Sequence, residues 1–187
     1  PAAAMPEFAA SFGSHGLTSL SGSGLKLPIA HDDWSVVIDG VQFSSTDSTP
    51  TKTSDATHTN FTWTTPVNVT VTASYQFKPT WNFVAKTLVL AALPSAPPMH
   101  LGVLTPVVGA IPHLPSHVVD VNATLGGKLA LFGRYSNNAS LVLAVQNPFA
   151  NLSCDALRMA YAANLTWAPS VAGATYVADS ALLGLTR

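Results

Sequence analysis

From Val67 to Phe77 the chain alternates apolar and polar residues without a break. Val67, Val69, Val71, Ala73, Tyr75 and Phe77 share one phase, and Asn68, Thr70, Thr72, Ser74 and Gln76 share the other. Successive side chains of a strand point to opposite faces, so the pattern specifies a strand buried on one side and wetted on the other. Helical periodicity is almost absent. The preceding segment sets Phe61, Trp63 and Thr65 against Asn60, Thr62 and Thr64. Further upstream Trp34, Val36 and Ile38 alternate, Asp39-Gly40 supplies a hairpin turn, and Val41 and Phe43 follow. More strands are predicted at about 82–92, 117–123, 128–136, 139–146, 155–161, 164–168 and 174–178. The run Leu141 to Val145 is apolar on both phases and reads as a central strand covered on both faces.

Many short strands separated by turn residues specify an all-β fold, here a two-layer antiparallel β-sandwich. An irregular or extended N-terminal segment is expected over residues 1–24 and a single sandwich domain over 25–187. Two long loops are expected within it. Ser44 to Thr59 is rich in Ser, Thr and Asp, and Pro94 to Pro115 is punctuated by proline.

Charge is scarce: 9% of residues are charged, against about 25% in an average soluble protein. A net charge of −1 leaves no electrostatic footprint for nucleic acid or an anionic membrane. Hydration must come from another source. Six of the nine asparagines open an Asn-X-Ser/Thr sequon: Asn60, Asn68, Asn122, Asn138, Asn151 and Asn164. Chance would supply roughly one or two; Asn147 is excluded because Pro148 follows it. N-linked glycans are bulky and polar, and they would hydrate a surface poor in ions. Asn60, Asn68, Asn122 and Asn164 fall on polar strand phases, so a one-residue register slip would bury these acceptors. The expected location is therefore secreted, extracellular or at the cell surface. Cys154 is the single cysteine and has no intrachain partner, so it is either a buried thiol or half of a bond to another chain or domain. The chain opens on Pro1 with no basic n-region or apolar h-region, and it reads as processed or as part of a longer protein. No membrane span is expected, because prolines at 94, 97, 98, 106 and 112 interrupt the apolar stretch from Leu88 to Pro115.

Catalytic groups are few. Glycoside hydrolysis uses two carboxyl groups flanking the scissile bond, yet Glu7 is the only glutamate. Asp32 and Asp33 are adjacent, point to opposite faces of a strand, and read as a solvated strand start. His113, His117 and Asp120 have metal-like spacing, but Pro112 and Pro115 deny them the helix that spacing needs, so no metal or other cofactor is expected. Trp34, Trp63 and Trp167 lie on apolar phases and read as core. Trp81, at a turn in Lys78-Pro79-Thr80-Trp81-Asn82, is the candidate for stacking on a sugar ring.

Several segments together resemble the N-terminal β-sandwich region of large secreted glycoside-hydrolase-like proteins. They are His15-Gly16-Leu17-Thr18-Ser19-Leu20, His31-Asp32-Asp33-Trp34 through Gly40, Tyr75-Gln76-Phe77-Lys78-Pro79-Thr80-Trp81-Asn82-Phe83, Leu143-Ala144-Val145-Gln146-Asn147-Pro148-Phe149, and Ala178-Asp179-Ser180-Ala181-Leu182-Leu183-Gly184-Leu185. In such proteins the sandwich precedes a catalytic barrel that carries the essential carboxylates. The resemblance therefore implies a non-catalytic accessory role beside carbohydrate chemistry, and it carries no catalytic residue onto this chain. The dense sequons depart from the bacterial pattern and imply a eukaryotic version. Three functions stay open: an accessory or scaffold module of a carbohydrate-active extracellular protein, a structural glycoprotein subunit of a wall, coat or filament, and a lectin-like module. In the first two, a neighbouring domain or identical subunits are expected to dock through the Leu88–Pro115 region.

Overall fold

The structure is a computed structural model, and it describes residues 8–78, 80–92, 96–122, 127–135, 138–153, 157–168 and 175–186. Glu7 and Cys154 lie outside these residues. Among the described residues there are seventeen strands and no helix, and all pairings are antiparallel. A three-stranded sheet holds β1 (Ala9–Phe12), β2 (Leu17–Gly22) and β3 (Leu25–Pro28). A five-stranded sheet is built from β4 (His31–Ile38), β5 (Val41–Ser44), β10 (Met99–Ala110), β14 (Asn151–Ser153) and β15 (Arg158–Trp167), in the order β14-β15-β10-β4-β5. The remaining nine strands form the largest sheet. They are β6 (Thr51–Ser54), β7 (His58–Thr64), β8 (Val69–Gln76), β9 (Phe83–Ala92), β11 (His117–Asn122), β12 (Lys128–Arg134), β13 (Ser140–Val145), β16 (Thr175–Val177) and β17 (Ala181–Thr186). The order is β11-β12-β13-β17-β9-β8-β7-β6, with β16 on the far half of β9.

Turn chemistry sets the registers. Asp39 and Gly40 both have positive φ, 49° and 78°, which is the mirror-type turn that matches strand twist, and β4 runs into β5 through it as the sequence predicts. The β7–β8 and β12–β13 connections share another device. Thr65 N–H donates to Val69 O and Asn68 N–H to Thr65 O; likewise Tyr135 N–H donates to Ala139 O and Asn138 N–H to Tyr135 O. In both, the last loop residue is an asparagine with φ near 60°, a conformation that asparagine tolerates far better than most side chains.

Much of the loop expected from Pro94 to Pro115 is strand: β10 is the longest among the described residues and lies at the centre of its sheet. Its pairing shifts between Leu104 and Val107 against β15, and between Thr105 and Val108 against β4. Three steps on β10 there match two on each neighbour, so Pro106 sits in a bulge where no ladder bond is asked of its missing N–H. A second bulge puts one extra residue into β15 between Leu165 and Ala162, and Asn164 (φ 46°) occupies it. This joins two predicted strands into one. The Ser/Thr-rich loop likewise contains β6, an edge strand exposed at every position. Within residues 8–24 the N-terminal segment forms β1 and β2, and its Leu17 and Leu20 belong to the core.

The five- and nine-stranded sheets meet face to face. Trp34 of β4 and Trp63 of β7 pack edge to face at 5.2 Å, and the Trp63 indole N–H donates to Ser45 O and Ser48 O. Phe12 of the small sheet packs edge-on against Tyr75 of β8, which closes one end. Trp34, Trp63 and Trp167 are all buried. Strand β13 is central, but it is covered on one face only: Leu141, Leu143 and Val145 point inward, while Val142 and Ala144 look outward and stay half-exposed. Leu104 is fully buried on β10. Leu104→Ala should therefore cost about 2–5 kcal/mol in denaturant unfolding. A loss below about 0.5 kcal/mol, the scale of a surface position, would contradict the interior placement of this strand.

Candidate functional site

The chemically richest point lies where the three sheets meet. Asp32, second residue of β4, turns its carboxylate inward among partners from three other strands. Its Oδ1 accepts from Lys86 Nζ of β9 at 2.6 Å. Its Oδ2 accepts from the Tyr75 hydroxyl of β8 at 2.7 Å and from the Leu17 backbone N–H of β2 at 3.1 Å. Lys86 also donates to Asp33 O at 3.0 Å. Tyr75 and Lys86 are cross-strand partners, so the register alone places both on the inward face. Gly16 completes the junction, since a Cβ there would lie 2.7 Å from Asp32 O and 3.2 Å from the Tyr75 hydroxyl. Lys86 has no exposed surface and Asp32 almost none.

Asp32 is thus no solvated strand start. The error arises because its compensating charge is 54 residues away in sequence. One signal was present: Lys86 occupies the inward phase between Val84 and Leu88, and a lysine there requires a buried acceptor. Burial, followed by the Asp32 charge, raises the Tyr75 phenol well above its ordinary value, so it serves as a neutral donor. Asp33 points the other way, as expected, and takes the Ser45 hydroxyl at 2.7 Å and His31 Nδ1 at 3.0 Å.

The sequon asparagines are spread over the surface. Asn68 and Asn138 stand at hairpin tips, Asn164 in the β15 bulge, Asn122 at the end of β11 and Asn151 at the start of β14, all exposed. Asn60 differs. It lies mid-strand on the outer face, half-buried between Thr53 and Ser74, and its Oδ1 is buried with no hydrogen-bond partner.

Trp81 is half-buried, and its ring already has packed partners. Phe83 stacks on it at 4.6 Å with an interplanar angle of 17°, and Lys78 Nζ lies 4.8 Å from the ring centre. The same aromatic pair flanks the outer face of the largest sheet, which is divided in two. On one half, cross-strand rows run Thr53, Asn60, Ser74, Thr87 and Thr51, Thr62, Thr72, with hydroxyl pairs at Thr62–Thr72 and Thr87–Ser180. On the other half, the rows run Val119, Phe132, Val142, Gly184, Phe83 and Val121, Ala130, Ala144, Leu182, Ala85. Gly184 contributes no side chain, and between Phe132 and Phe83 lies an open hollow of about 280 Å³. None of the six sequon asparagines belongs to these apolar rows. Sequence reasoning missed this surface because β17 was not predicted as a strand.

The Leu88–Pro115 region offers less surface than expected. Leu88, Leu90, Leu101, Leu104, Val107 and Ile111 are all buried. His117 and Asp120 fall on opposite phases of β11, and Asp120 pairs with Lys128 at 2.8 Å. Among the described residues no helix is long and apolar enough to cross a membrane.

Tyr161 resembles Tyr75: burial raises its phenol, whose oxygen accepts the Asp179 N–H at 2.7 Å. In the unfolded chain both phenols ionise near pH ~10. Folding therefore holds two protons that the unfolded chain releases. Their contribution is intact below about pH 10 and falls as the pH rises beyond it. Unfolding midpoints measured from about pH 8 to 11 should drop at the alkaline end, and Tyr75→Phe with Tyr161→Phe should flatten that drop; an unchanged slope in the double variant would rule out this source. No family model matches the chain, and no curated protein matches it either.

Proposed function

We propose that this chain is a secreted, N-glycosylated β-sandwich of eukaryotic origin. It acts as a non-catalytic accessory or scaffold module of a carbohydrate-active extracellular protein, related to the N-terminal sandwich of glycoside-hydrolase-like proteins. The observation that carries the reading is the division of the outer surface. Five sequon asparagines are exposed, and an apolar half-sheet with an open hollow bears none of the six. A glycan-free apolar surface on a chain this poor in charge suits a permanent contact with a neighbouring domain. It replaces the Leu88–Pro115 region as the docking surface. The buried Asp32 cluster supports a scaffold role as well, because its charges are compensated within the fold and turned away from solvent.

One observation favours the structural-subunit reading. Among the described residues β11 pairs only with β12, and Val118, Val119 and Val121 are exposed along it. An edge of this kind invites strand addition by another copy, and a head-to-tail contact that does not close would build a filament. The lectin-like reading has less support, because Phe83 and Lys78 already pack on the Trp81 ring.

Expression in a eukaryotic secretory host, with intact mass taken before and after enzymatic glycan removal, tests the core of the proposal. A mass drop of several glycans is expected. Glycopeptide mapping should show Asn68, Asn122, Asn138, Asn151 and Asn164 occupied and Asn60 the least so. An unchanged mass would sink the glycoprotein reading. Sedimentation then separates the two roles: a monomer exposing the apolar half-sheet fits the module, and concentration-dependent polymers fit the subunit.

A further inference from the structure

We propose that Lys86 and Asp32 condense into an intramolecular isopeptide bond tying the five-stranded sheet to the nine-stranded one. The reacting groups are already placed. Lys86 Nζ lies 2.6 Å from Asp32 Oδ1, and its bond to Asp33 O holds it on that side of the carboxyl group. The other oxygen, Oδ2, faces two donors, the Tyr75 hydroxyl at 2.7 Å and the Leu17 N–H at 3.1 Å. Attack of an amine on a carboxyl carbon puts negative charge on the oxygen that stays, and two fixed donors aimed at that oxygen are the arrangement that stabilises it. The phenol is suited to the task, because it remains a neutral donor in this buried setting.

The step balances without an outside reagent. The ammonium passes one proton to Oδ1 across the short contact, leaving a free amine beside a neutral acid. Neither product is a bare charge in the interior. The nitrogen lone pair then forms the N–Cγ bond while the charge gathers on Oδ2. A second proton moves from nitrogen to Oδ1, the Cγ–Oδ1 bond breaks, and one water leaves. Three N–H bonds become one, the two opposite charges cancel, and nothing is oxidised or reduced. Both groups are held by packed strands, so the encounter is intramolecular and pre-oriented. Lys86 has no exposed surface, so bulk water is kept away from the product amide. The link would join positions 54 residues apart in a chain whose single cysteine allows no intrachain disulfide.

The full-length folded chain, stripped of glycans, denatured and reduced, is weighed and then digested. The expected mass is one water below that of the sequence, with a branched peptide joining the Asp32 segment to the Lys86 segment. The linked chain should also run faster on a denaturing gel. A full sequence mass with two separate peptides would overturn the proposal and leave a plain buried ion pair. Lys86→Arg keeps a cation but no acylable primary amine, and should restore the missing water. Tyr75→Phe removes one donor to Oδ2 and should slow linkage after refolding by on the order of a hundredfold; an unchanged rate would remove the phenol from the mechanism.

Discussion

The carboxylate of Asp32 is the point on which the packing of the sheets depends. A charge in the interior is tolerated only when its partners are complete, and losing one of them costs about 3–5 kcal/mol. Its three partners come from the two other sheets, the amine of Lys86 and the phenol of Tyr75 from the largest and the amide of Leu17 from the smallest, so the junction ties all three sheets together. Apolar packing such as Trp34 on Trp63 brings the layers together but tolerates small slips. The Asp32 cluster does not, because a shift of one residue on β8 or β9 would turn Tyr75 or Lys86 to the outside. Hydrophobic contact thus supplies most of the adhesion, and the polar junction fixes which adhesion is allowed.

Charge is scarce along the whole chain, and two of its charged groups are buried, so hydroxyls, amides and scattered apolar groups cover most of the surface. The outer face of the nine-stranded sheet shows the result most clearly. Its Thr and Ser rows pair with one another across strands, while its Val, Phe, Ala and Leu rows face outward around a hollow. A protein with ordinary charge content would have broken the second half with lysine or glutamate.

Period-two alternation made β4, β5, β7, β8, β9 and β13 legible, because each carries a clean apolar phase on one side. It failed on β10, where the bulge resets the phase and Pro106 reads as a terminator. It failed on β6 because Thr51–Ser54 has no apolar phase to detect. The exposed sequons at Asn68 and Asn138 were visible as positions, but their shared turn geometry depends on backbone angles that no spacing encodes. The polar junction was the least legible feature, since its charges are brought together only when β4 and β9 are stacked.

Three of the sequon asparagines, Asn68, Asn138 and Asn164, are also places where the backbone turns left-handed. Each asparagine therefore holds two jobs that ordinary mutagenesis would confuse. Replacing it with glutamine removes the sequon and strains the turn or bulge together, so an effect of one would be misassigned to the other. Replacing Thr70, Ser140 or Thr166 two residues on removes the acceptor signal and leaves the turn residue in place. The comparison of the two sets separates the effect of the sequon from that of the bend.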